Sequence, residues 1–175
     1  MITDINMMKD LADRGDIDAQ YEYGQYCYQN SGSDSYALEE SFYYFTRSAE
    51  QGHPDAQFCV GAAYYHGEGV MQSYLEAVKW FHLAAEQHQI NALYNLGICY
   101  ERGCGVEKNL RTALEYYRSA AYYGHKEAKQ AVRDVKRQLW ITAPWYVRVW
   151  RYVLLWLILF FVFSVFQVVV SLIFS

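Results

Sequence analysis

The chain has 175 residues, 53% of them hydrophobic and 18% aromatic, with 15 Lys and Arg against 19 Asp and Glu for a formal charge of −4. That length holds one domain with a useful core, plus attachments. Residues 1–125 carry 8 basic and 17 acidic residues and residues 126–151 carry 7 and 2, so the acidic body argues against nucleic acid as the main partner, while a basic collar beside an apolar end points to a membrane.

The first ten residues lack the basic start and apolar run of a signal peptide, so the body is expected to stay in the cytoplasm. Residues 4–12 read as a short helix capped by Thr3 or Asp4, with Ile5, Met8, Leu11 and Ala12 facing inward. Ala12 and Gly15 match Ala49 and Gly52 one period later, which makes residues 1–15 a degenerate half-repeat covering the open end of a stack. The period is set by Ala19, Ala56, Ala92 and Ala128, at steps of 37, 36 and 36, and by Gly24, Gly61 and Gly97 at the same step. Self-similarity of this kind marks stacked supersecondary units, here spanning residues 16–125.

In the first unit a polar turn, Asn30-Ser31-Gly32-Ser33-Asp34-Ser35, adds one residue relative to the later turns. Its second helix, residues 36–51, is expected to carry an aromatic pair, Tyr43 and Tyr44, and to end at Gly52. The central unit shows the pattern most clearly. Ala56, Val60, Gly61 and Tyr64 lie on one helical stripe, Gly67 and Gly69 break the helix, and Ala77, Trp80, Phe81, Ala84 and Ala85 form a second stripe. The third unit repeats it as Ala92, Leu96, Gly97, Tyr100, then Gly103-Cys104-Gly105-Val106, then Ala113, Tyr116, Tyr117, Ala120 and Ala121. Each unit is a helix hairpin. His88 takes the slot of Gly52, and His enters left-handed backbone more readily than a branched residue.

This pattern, with Gly-Glu-Gly-Val before the second helix and Ala-Ala-Glu-Gln at its end, closely resembles the Sel1-like repeat, a relative of the tetratricopeptide repeat. The resemblance covers about residues 12–130. It implies an all-α solenoid of about three Sel1-like hairpins with capping helices, and a scaffold that binds other proteins rather than an enzyme. In that family the cysteine-rich secreted members join the helices of each hairpin by disulfides. Here Cys27, Cys59, Cys99 and Cys104 leave the second helices without cysteine, so that pairing is unavailable, and free thiols in a reducing compartment are expected.

Gly24, Gly61 and Gly97 sit inside first helices, where Gly costs about 1 kcal/mol relative to Ala, so close helix packing is the expected compensation. The next equivalent position is Arg133, too large for such a contact. The stack should therefore close with a basic capping helix, residues 126–140, with Ala128, Val132, Val135 and Leu139 inward and Lys129, Arg133, Lys136 and Arg137 outward. Residues 141–152 combine Trp145, Tyr146, Trp150 and Tyr152 with Arg148 and Arg151, a mixture suited to the headgroup layer, and Pro144 suits the first turn of a helix.

Residues 153–174 then run without a charge. At 1.5 Å per residue they extend roughly 33 Å, enough for a hydrocarbon core of about 30 Å. Eighteen are Leu, Ile, Phe or Val, which amounts to about −5 to −11 kcal/mol on the insertion scale. The expectation is one C-terminal transmembrane helix in a single-pass, tail-anchored protein. The basic collar puts the N-terminal body in the cytoplasm, and a bacterial inner membrane is the expected location.

No nucleophile elbow, phosphate loop or zinc-protease motif is present, and neither cofactor nor metal is expected. The candidate site is instead a groove lined by first helices for a peptide or helix of another protein. Its three rows are Tyr21, Phe58 and Tyr94; Gln25, Ala62 and Ile98; and Tyr28, Tyr65 and Glu101. The same rings could pack between neighbouring hairpins, and the sequence leaves both readings open. Ser164, Gln167 and Ser171 share one face of the apolar helix and either pair with another membrane helix, including a second copy, or are tolerated in isolation. Two functions fit: a membrane-anchored adaptor, or a small subunit of a larger membrane complex that docks through its tail.

Overall fold

The computed structural model describes residues 4–32 and 34–173, apart from the side chains of Trp145, Arg148, Arg151, Ser164, Val165 and residues 167–173. The described residues form nine α-helices and no strand, in two units, Met1–Val135 and Lys136–Ser175.

The first unit holds α1 (Ile5–Asp13), α2 (Ile17–Asn30), α3 (Ser35–Glu50), α4 (Pro54–His66), α5 (Tyr74–Glu86), α6 (Ile90–Arg102), α7 (Leu110–Tyr122) and the start of α8 (Ala128–Thr142). Their starts follow from the residue placed at each N-cap, which supplies an acceptor for an amide that has no partner within the helix. Asp4 accepts from Asn6, Asp16 from Ala19, Asp34 from Tyr36, Ser73 from Glu76 and Asn109 from Thr112. His53 and Gln89 take the same role at one repeat position: His53 Nδ1 accepts from the Ala56 amide at 3.2 Å, and Gln89 Oε1 from the Ala92 amide at 2.6 Å. The turns that leave the second helices adopt left-handed backbone at Gly52, His88 and Gly124, and His88 is the one described residue other than glycine to do so.

Packing runs along the chain, α2 on α3, α4 on α5 and α6 on α7 within hairpins, then α3 on α4 and α5 on α6 between them. The hairpins close where a first-helix glycine meets an aromatic ring. A Cβ at Gly24 would lie 2.8 Å from Phe45, at Gly61 2.6 Å from Phe81 and at Gly97 2.5 Å from Tyr117. This corrects the expected aromatic pair of the first repeat. The residue added in its polar turn shifts everything after it, so Tyr44 and Phe45, not Tyr43 and Tyr44, correspond to Trp80-Phe81 and Tyr116-Tyr117. Phe45 is buried and Tyr43 is exposed.

Neighbouring hairpins are joined by two further devices. Gln20 Nε2 donates to the Ala12 carbonyl (3.1 Å) and receives from Gln51 Nε2 (2.7 Å); one repeat later Gln57 donates to the Ala49 carbonyl (3.2 Å) and receives from Gln87 (2.9 Å). Each such glutamine satisfies a carbonyl near the end of the preceding hairpin's helix, and both are buried. In the third repeat Leu93 and Tyr123 take the two positions, and Tyr123 meets His88 Nδ1 at 3.2 Å instead. The second device is backbone against backbone: a Cβ at Gly69 would fall 2.2 Å from the Leu38 carbonyl oxygen, and one at Gly105 2.2 Å from that of Tyr74.

Ile5, Met8 and Leu11 of α1 pack against the cluster of Ala12, Ala19, Tyr23, Cys27 and Tyr44, and Lys9 Nζ donates to the Tyr44 hydroxyl (2.7 Å). In α8, Ala128 and Val135 are buried, Val132 and Leu139 are half-buried, and Lys129, Arg133, Lys136 and Arg137 are exposed.

In the second unit α8 continues to Thr142, two residues past the expected end of the basic capping helix. The helix is interrupted at Ala143 and Pro144, and α9 (Trp145–Ile173) follows. The aromatic and basic segment is thus largely helical. Every side chain from Tyr152 to Phe163 is exposed. Among the described residues no helix is long and apolar enough to cross a membrane. The side chains of Ser164, Gln167 and Ser171 lie outside the described residues.

Gly69 and Gly32 separate contact from backbone strain, because both have positive φ (68° and 53°) but only Gly69 has a neighbour within 4 Å. Gly32→Ala should cost about 1 kcal/mol for the left-handed backbone alone. Gly69→Ala should cost about 1 to 3 kcal/mol more, since a carbonyl cannot rotate away as a side chain does. Thermal melts of the two variants check this, and equal losses would mean that the turn does not dock on α3.

Candidate functional site

The nine candidate groove residues divide by row. The first row is built into the contacts between helices: Tyr21 stacks on His53 at 4.5 Å, Tyr94 on His125 at 4.1 Å, and Phe58 lies 6.0 Å from Phe81. The rings are half-buried. Burial, with the nearby Cys59 and Asp55, pushes the Tyr21 phenol up to about 12, and Gln25 Nε2 donates to its oxygen at 2.6 Å.

Tyr65, in the third row, meets Tyr74 edge-on at 5.1 Å, and its hydroxyl accepts from Arg102 at 3.5 Å. Glu101 turns inward and accepts from the Tyr117 hydroxyl (2.7 Å), and burial first, then this carboxylate, raises the Tyr117 phenol. Ile98 is half-buried.

The remaining three, Gln25, Tyr28 and Ala62, come together with Phe58 around a cavity of about 340 Å³ between α2, α3 and α4. Its walls are completed by Leu38, Phe42 and Phe45, which periodicity did not assign to the site because they lie on the second helix. The mouth is crossed by a hydrogen bond from the Tyr28 hydroxyl to Glu68 Oε2 (3.1 Å). Burial and that bond both raise the Tyr28 phenol, which keeps it neutral and donating. The recess is mostly apolar with a few polar groups in its lining, a composition suited to holding an apolar side chain. Among the described residues no group of three or more His, Cys, Asp and Glu is placed to hold a metal.

The Sel1 repeat family model matches residues 17–53, 54–88 and 90–125, each match covering one hairpin. The chain belongs to the Sel1 repeat family. Its repeats are similar to those in the crystal structure of a Sel1 repeat protein from Oxalobacter formigenes, with 34% identity and a TM-score of 0.62 over 68% of this chain and 49% of that one. The chain thus spans about half the length of that relative. Helicobacter pylori cysteine rich protein B shares the fold, with 19% identity and a TM-score of 0.54 over 74% of this chain and 98% of its own. A comparison with curated proteins finds no match.

The Sel1 hairpins of this chain hold free thiols. Burial, reinforced by Asp55, raises Cys59 to about 12, and burial, reinforced by Cys104, raises Cys99 to about 12. Both groups therefore stay protonated and unreactive far above neutral pH. In the native protein at pH 8, iodoacetamide should modify the partly exposed Cys104 well before Cys59 or Cys99, and in urea the rates should converge. Mass spectrometry of the labelled peptides reads this, and native labelling of Cys59 as fast as that of Cys104 would contradict the protonated state that burial imposes on it.

Proposed function

We propose that this Sel1 repeat protein is a membrane-anchored adaptor that binds another protein through the first helices of its solenoid, on the cytoplasmic side. What supports the binding half is the family, together with a recess at the place where three of the candidate rows meet. The observation that carries the membrane half is the run of apolar side chains from Tyr152 to Phe163, all exposed. Exposed apolar surface on this scale is covered by a partner or by lipid. The sequence continues the run to residue 174 with no charge. The basic surface of α8, with Lys129, Arg133, Lys136 and Arg137, precedes it, and such residues are retained on the cytoplasmic side.

A second reading is favoured by Gln167, whose carboxamide in lipid gains about 0.6 to 2 kcal/mol from a partner helix. In that reading the protein is an accessory subunit that docks through its tail, or pairs with a second copy.

The two readings separate in one experiment on the full chain. The adaptor should remain with membranes after alkaline carbonate extraction. After its residues 153–175 are exchanged for an unrelated membrane helix, it should still co-purify with its protein partner from detergent extract. Loss of the partner on that exchange would favour the subunit reading, and release by carbonate would overturn the anchor.

A further inference from the structure

We propose that the cavity between α2, α3 and α4 is the specificity pocket of the partner site, and that it takes one large apolar side chain followed by an arginine or lysine. The inference rests on the protein-binding half of the function proposed above and goes beyond it by naming what is bound.

Among the wall positions that differ from their counterparts one repeat on, two carry markedly smaller side chains here. Ala62 stands in its wall where the next repeat has Ile98, and Leu38 stands where the next repeat has Tyr74. One repeat on, the Tyr74 ring meets Tyr65 edge-on at 5.1 Å, whereas Tyr28, the counterpart of Tyr65, reaches past Leu38 to Glu68. The smaller Ala62 and Leu38 leave room in the wall between the first and second hairpins, where the cavity lies. Its floor is aromatic, from Phe42, Phe45 and Phe58, which suits an aromatic or long aliphatic side chain.

Charge decides what lies beside that side chain. Glu68 sits at the mouth, and its carboxylate accepts from Tyr28 while keeping further lone pairs for a donor. Among the described residues no Lys or Arg forms an ion pair with it. From Asp16 to Val70 the chain carries nine Asp and Glu against a single basic residue, Arg47. A carboxylate beside an apolar recess, in an acidic stretch of chain, attracts a cationic segment and repels an anionic one, which sets both the encounter rate and the choice of partner.

The test uses the full chain in detergent micelles and fluorescently labelled hexapeptides, Gly-Ser-Phe-Arg-Ser-Gly and its versions with Ala in place of Phe or Glu in place of Arg. The first peptide should bind at least about tenfold more tightly than either of the others. Ala62→Ile, which copies the third repeat and fills the recess, should weaken it by about tenfold or more while leaving the melting temperature equal or higher. Glu68→Gln should abolish the preference for Arg over Glu and leave the preference for Phe over Ala. Should Ala62→Ile lower the melting temperature, the smaller Ala62→Val and the rim change Glu68→Gln decide the matter. Equal binding by all three peptides, or undiminished binding by the filled variants, overturns the pocket. If no peptide binds while the full chain retains its partner from extract, the pocket is likewise overturned and the adaptor reading stands.

Discussion

Everything in the repeat body depends on an aromatic ring resting on bare helix backbone. At Gly24, Gly61 and Gly97 there is no room for a methyl group, because Phe45, Phe81 or Tyr117 already occupies the place a Cβ would take. Phe81 and Tyr117 are almost wholly buried by this contact, and burying a side chain of that size contributes about 1.5 to 3 kcal/mol. That gain offsets the helix propensity lost at each glycine. The close approach also fixes how the two helices of a hairpin sit, so the turns at Gly69 and Gly105 arrive where they can dock on the carbonyls of Leu38 and Tyr74. Stacking of hairpins is thus a consequence of how each one closes.

Much of this was legible in the sequence because small residues at a fixed step have few explanations. The 36-residue step of alanine and glycine gave the hairpins, their turns and the reason for a glycine inside a helix. The exit turn at His88 followed from its alignment with Gly52. What misled was the residue added between Asn30 and Ser35: keeping the step of 37 beyond it put Tyr43, an exposed ring, in the place of the buried Phe45. The glutamine links were missed for a different reason. Gln20 and Gln57 recur at one step and Gln51 and Gln87 at another, but hydrophobic periodicity treats a glutamine as surface, and only the geometry shows that it reaches a carbonyl of the preceding hairpin.

The candidate groove was legible only in part. Repeat alignment found Gln25, Tyr28, Phe58 and Ala62, which meet around the cavity, because all four lie on first helices. It also selected Tyr21 and Tyr94, whose rings stack on His53 and His125 between repeats, and Glu101, which turns inward to Tyr117. Equivalence of position implies equivalence of direction, not of surroundings. The surroundings changed at Ala62 and Leu38, which stand in the cavity wall with smaller side chains than Ile98 and Tyr74 one repeat later. A scaffold of near-identical units acquires a particular site where one unit departs from the rest.

The central claim is that each glycine and its facing ring act as one unit, and a double-mutant cycle on Gly61 and Phe81 tests it most directly. Gly61→Ala should destabilise while Phe81 is present, and should cease to do so, or should stabilise through better helix propensity, once Phe81→Leu has made room. The account predicts a coupling of at least about 1 kcal/mol from chemical denaturation of the four proteins. Effects that add within about 0.5 kcal/mol would contradict it.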